Sequence, residues 1–166
     1  MYHAEENGKH FLIGHLAKAN DHVQSLGRKS TVVFHGPHAY VSSKWYETVN
    51  VVPTWNYVAV HVSGILSPVG GQELSRILGL MVLRHEVDVA SFRSGMEEEV
   101  RANLEKHIVG VKMEIEKMEG KWKLSQNKSP DIQGKIVERL RETGDWNAER
   151  VAELMEARIR KSLGNG

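Results

Sequence analysis

The period at which apolar residues recur changes along the chain, and the changes predict its elements. Positions 10–16 (HFLIGHL) read as a strand, and a short helical turn follows over 20–26, with Asn20 placed to cap it. Positions 30–35 (STVVFH) are β-branched and aromatic, a strand stopped by Gly36-Pro37, and 38–43 (HAYVSS) alternate as another. The longest strand is expected over 55–66. Its Val58, Val60, Val62 and Leu66 share one face and form core, while Tyr57, Ala59, His61 and Ser63 share the wetter one.

The period then lengthens. Leu74, Ile77, Leu78, Met81 and Val82 make the stripe of an amphipathic helix ending near His85, and Met96, Val100 and Leu104 mark a second over 91–106. Val109, Val111, Met113 and Ile115 return to alternation, a half-buried antiparallel strand, and 122–127 (WKLSQN) read as a strand end or loop. Beyond Lys128 the pattern is helical throughout. Ser129-Pro130 starts a helix striped by Ile132, Ile136 and Leu140, and Gly144-Asp145 breaks it. Asn147 is expected to cap a last helix striped by Val151, Leu154, Met155 and Ile159, before a frayed SLGNG end. Strands, interposed helices and a helical end predict an α+β fold with an antiparallel sheet, a domain over 1–128 and a C-terminal helical tail over 129–166.

Positions 36–64 concentrate two Trp, three Tyr, two His and two Pro, with Ser42, Ser43, Thr54 and Asn56 among them. These aromatics could form a hydrophobic cluster under a long connection. Their mixture with hydrogen-bonding side chains favours a pocket for a planar ligand. The 166 residues carry a net charge of +1, which gives no bulk electrostatic case for nucleic acid. With no cysteine, disulfides, thiolate zinc sites and Cys nucleophiles are excluded, and a reducing, cytoplasmic setting is expected. No apolar run reaches transmembrane length, and positions 1–10 lack a signal-peptide core, so no membrane association is expected.

Common catalytic signatures are missing: there is no G-x-G-x-x-G, P-loop, G-x-S-x-G or H-E-x-x-H. His35 and His38 could meet His15 or His61, but no carboxylate stands at ligand spacing, and no metal centre is expected. The strip 117–128 interleaves lysines with Trp122, which would suit base stacking and phosphate pairing. Solvated lysines at an amphipathic strand end explain it equally, and the low net charge favours that reading. The last two helices outline a helix-turn-helix, yet Glu138, Glu142, Glu149, Glu153 and Glu156 share them with the arginines and would repel DNA.

Four blocks in order, GHLAKAN (14–20), GPHAYVSSKWY (36–46), VPTWNYVAVHVSG (52–64) and KLSQN (123–127), resemble the PaiB family of FMN-binding proteins, which carries the label of a negative transcriptional regulator. The resemblance implies an FMN-binding split β-barrel related to pyridoxamine 5′-phosphate oxidase, and homodimers holding FMN at the subunit interface. It implies that His15, Lys18 and Asn20 meet the FMN phosphate, and Lys18 has the charge for that role. It also implies that Trp55, Asn56, Lys123 and Gln126 face the isoalloxazine, from the other subunit of the pair. Family members carry a further strand pair ahead of the GHLAKAN block. Its loss is expected to expose a sheet edge beside Phe11, Leu12 and Ile13, and so to favour association.

The expected function is therefore an FMN-binding protein of the PaiB type with a regulatory role. A flavin- or haem-handling oxidoreductase on the same scaffold is one alternative, and a cofactor-free dimeric interaction module another. No residue stands out as acid, base or nucleophile, since a flavin supplies redox chemistry itself.

Overall fold

The structure, a computed structural model, describes residues 1–46, 51–86 and 98–163. Among these residues the sheet has six strands: β1 (Tyr2–Glu6), β2 (Lys9–Ala17), β3 (Arg28–Val41), β4 (Thr54–Val69), β5 (Ile108–Glu114) and β6 (Lys117–Lys123). The order is β1-β2-β5-β4-β3, with β6 also paired to β4. The pairs β1–β2, β2–β5 and β4–β5 are all antiparallel, so the α+β class with an antiparallel sheet and interposed helices is as expected. The chain divides into two compact units, Met1–Val32 with Val62–Met118, and Val33–His61 with Glu119–Gly166. Strands β3 and β4 contribute to both.

In the first unit the amino terminus is a strand, which the sequence reading missed. Asn7 (φ 50°) and Gly8 (φ 76°) are both left-handed, as a two-residue hairpin turn demands, and they fold β1 back onto β2. Tyr2, His3 and Ala4 stand opposite Ile13, Leu12 and Phe11. The edge expected to lie bare beside Phe11–Ile13 is therefore paired, and the case for association built on it falls. Helix α1 (Gly71–His85) buries Leu74 and Ile77 and ends at His85 as anticipated. Of the helix expected over 91–106, α2 (Glu98–Glu105) is described, with Val100 and Leu104 exposed; Met96 lies outside the described residues.

Four charges join β1, α1 and β5 in this unit. Arg76 donates to Glu6 at 2.6 Å and to both oxygens of Glu73 at 2.8 Å; Lys112 Nζ reaches Glu6 at 2.5 Å and Glu73 at 3.2 Å. Hydrogen bonding from Arg76, with Lys112 adding to it against the cost of burial, lowers the Glu73 carboxyl to about 2. Glu6 is lowered too, mainly by its hydrogen bond from Lys112.

In the second unit β3 runs straight through Gly36-Pro37, where the sequence reading ended one strand and began another. Proline within a sheet is tolerated on edge strands, and β3 is the last strand in the order. A Cβ on Gly36 would lie 3.2 Å from the Val58 carbonyl oxygen and 3.3 Å from its Cβ, so glycine permits the close approach to β4. Ala39 and Val41 point inward, where they share a core with Tyr46, Leu124 and two helices, α3 (Pro130–Glu142) and α4 (Trp146–Leu163). The segment 129–166 thus supplies much of this core through Ile136, Leu140, Val151 and Met155.

Ser129 caps α3 as expected, accepting from the Ile132 N–H at 3.4 Å. The cap of α4 is not Asn147. The helix begins at Trp146, and Asp145 Oδ2 accepts from the Ala148 N–H at 2.8 Å, the N-cap to third-position bond. The frayed end expected at 164–166 lies outside the described residues.

Candidate functional site

Strand β4 carries the candidate residues in alternation. Thr54 and Asn56 turn one way and Trp55 the other, so these neighbours in sequence serve different surfaces. Asn56 is fully buried. Its Nδ2 lies 3.0 Å from Ser125 Oγ and 3.4 Å from Met155 Sδ, and Ser125 Oγ donates to Asn56 Oδ1 at 3.1 Å. The VPTWN and KLSQN blocks, nearly seventy positions apart, are pinned together by this bond.

The KLSQN block is a built turn. Ser125 holds a left-handed φ of 57°, unusual for a residue with a Cβ. Gln126 closes the turn, with Oε1 accepting from the Leu124 N–H and Nε2 donating to the Trp122 carbonyl, each at 2.6 Å. Lys123 Nζ donates to Thr54 Oγ1 at 2.5 Å, and Lys128 Nζ lies 5.1 Å from the centre of the Tyr46 ring.

Around this turn lies a pocket of about 750 Å³, bordered by Tyr46, Thr54 and Asn56 and by residues 120–123 and 125–128. Its size falls within the range of small-molecule and cofactor sites. Tyr46 and Trp122 contribute rings and Lys121, Lys123 and Lys128 cations, and no carboxylate is among the described lining residues. That donor set fits a flavin nucleotide, which needs flat walls for its ring and positive groups for its phosphate. A smaller hollow of about 390 Å³ beside Lys44 and Trp45 fits less well, because its Arg139 is already held by Glu142 at 2.8 Å.

Of the seven residues singled out by sequence, Asn56, Lys123 and Gln126 meet at this pocket, though Asn56 and Gln126 spend their amides on the protein. Trp55 stands apart from them, half exposed, edge-on to Tyr40 at 5.9 Å and 6.1 Å from His38. His15, Lys18 and Asn20 lie in the first unit. His15 is exposed on β2 opposite Gly110, and the Lys18 N–H donates to the His107 carbonyl at 2.8 Å. Asn20 caps a 3-10 turn (Asp21–Ser25), its Oδ1 accepting from the His22 N–H at 2.9 Å. Among the described residues no three His, Asp or Glu side chains gather as metal ligands. Tyr46 falls among the aromatics whose company favours a pocket for a planar ligand, and the alternation of lysines with Trp122 over 117–128 suits stacking and phosphate pairing. Sequence alone gives neither Tyr46 nor Lys121, Trp122 or Lys128 to the flavin.

Residues 1–117 match the family described as "Putative FMN-binding domain", and the chain belongs to that family. It is 33% identical over 163 residues to the protease synthase and sporulation protein PAI 2 of Bacillus subtilis, covering 96% of this chain and 78% of that protein. That places it in the PaiB group of the family. A stretch of 65 residues is 46% identical to an uncharacterized protein of Saccharomyces cerevisiae, covering 36% of this chain and 38% of that one. The FAD and heme binding protein of Mycobacterium smegmatis superposes with a TM-score of 0.47 at 11% identity, over 87% of this chain and 71% of that structure. No helix among the described residues is long and apolar enough to cross a membrane.

Proposed function

We propose that the chain is a cytoplasmic, homodimeric FMN-binding protein of the PaiB type. The observation that carries this reading is the pocket of the second unit, in which Trp122, the edge of the buried Tyr46 ring and three lysines border a space of cofactor size without a carboxylate among its described lining residues. Lys123, Asn56 and Gln126 shape its floor and turn. His15, Lys18 and Asn20 are the phosphate-meeting segment that the family pattern implies, contributed by the second copy. Trp55, exposed beside Tyr40, belongs to the surface facing that copy. A bound flavin supplies electron-transfer chemistry, and the protein contributes its placement and electrostatic surroundings. The lack of cysteine suits a reducing cytoplasm.

The regulatory role attached to the family acts, in this reading, through the flavin-bearing protein and not through a DNA-reading helix. Three arginines of the terminal helices are engaged with glutamates: Arg139 with Glu142, Arg141 with Glu149 and Glu156, and Arg150 with Glu153. Such pairing leaves little uncompensated charge for phosphates.

The visible spectrum of the purified protein, before and after FMN is added and the excess removed, tests the cofactor. A retained flavin band is expected, and a colourless protein that releases all added FMN contradicts the proposal. Sedimentation tests the dimer, and a monomer in the flavin-loaded sample overturns that part.

A further inference from the structure

We propose that Trp122, seated on Gly120, is the stacking wall of the pocket, and that the pocket takes a planar heteroaromatic ring carrying negative charge. This rests on the flavin reading for the identity of the ring. The segment 120–128 lies outside the residues matched to the FMN-binding family, so no ligand contact there follows from that match.

Gly120 and Trp122 are two apart on β6 and share a face. A Cβ on Gly120 would lie 2.8 Å from Trp122 Cη2 and closer still to Cζ3, so the indole lies across the glycine in space that a side chain would fill. Trp122 is nonetheless 49% exposed as a residue and is among those that line the pocket. Nearby amides are spent: Asn56 on Ser125, and Gln126 on Trp122 and Leu124. Trp122 thus remains for stacking, and Lys121 and Lys128 for charge. Tyr46 is 97% buried beneath Lys128, so it anchors that lysine and cannot itself be a broad stacking face.

The test uses FMN as the probe, with flavin fluorescence and affinity measured on wild type, Trp122→Ala, Trp122→Phe and Gly120→Ala. Trp146→Ala, an exposed tryptophan on α4, is the control, and melting temperatures confirm folding throughout. Trp122→Ala is expected to weaken FMN by roughly 5- to 150-fold, the range for removing an aromatic from under a stacked base. Trp122→Phe should keep most of the affinity but lose much of the quenching that an indole exerts on a stacked flavin. Gly120→Ala should weaken binding with Trp122 still present, because its methyl group displaces the ring. Trp122→Ala and Gly120→Ala variants that bind as tightly as wild type overturn the assignment while leaving the flavin reading intact. A wild type that binds no FMN contradicts the flavin reading itself. Adenosine monophosphate is then the probe, and failure to bind it, or binding unaffected by Trp122→Ala, overturns the wall as well.

Discussion

The Asn56 amide and the Ser125 hydroxyl hold each other at 3.0 and 3.1 Å, both side chains buried at the border of the pocket, with Met155 sulfur 3.4 Å from the same amide nitrogen. Strand β4, the turn after β6 and helix α4 meet at this one contact. Asn56→Ala would leave the Ser125 hydroxyl buried without its partner and open a small cavity. The expected loss is about 2 kcal/mol, since an unsatisfied buried group costs more than a hydrogen bond contributes. Urea unfolding checks it, and a loss too small to measure would mean that water replaces the amide.

The charge cluster on the first unit gives a pH signature. Glu73 sits near 2 in the folded protein against 4.5 for the free group, so its contribution is full above pH 4.5 and is lost as pH falls from 4.5 toward 2. About a third of the side chain faces water, and screening reduces the contribution at neutral pH to about 1 kcal/mol. The stability difference between wild type and Glu73→Gln should therefore be flat at neutral pH and shrink below pH 4.5. A difference that grows with acid would contradict this assignment.

Lys18 is expected to act on a phosphate and not on the fold, because its side chain is exposed and its backbone alone is tied to His107. Lys18→Ala should weaken FMN by about 1–3 kcal/mol, leave riboflavin binding unchanged and leave the melting temperature in place. Equal weakening of both flavins would remove Lys18 from the phosphate site.

Much of this architecture is legible in the chain because alternation and helical stripes report burial directly. Val62 is buried and His61 exposed, as the β4 pattern predicts, with Val58, Val60 and Leu66 half buried. Ala59 is also buried, on the face expected to be wet, and two-residue alternation cannot show that neighbouring chain covers so small a side chain. The β1–β2 hairpin was readable from Asn7-Gly8, a strong turn signal hidden among polar neighbours. Alternation already sets Trp55 and Asn56 on opposite faces of β4, but local pattern could not show that Asn56 and Gln126 spend their amides on protein partners. The partner of Asn56 stands 69 positions away, beyond the reach of local pattern. The Gln126 turn and the indole over Gly120 are local, but they depend on side-chain rotamers that hydrophobic period does not report.

Flavin binding is the central claim, and the melting temperature measured against added FMN tests it most directly. A ligand that binds only the folded state stabilises it by about 2.7 kcal/mol at a hundred times its dissociation constant. The melting temperature should therefore climb steadily with FMN concentration, and the climb should be smaller in Lys18→Ala. A melting curve that stays fixed from micromolar to millimolar FMN would contradict the account.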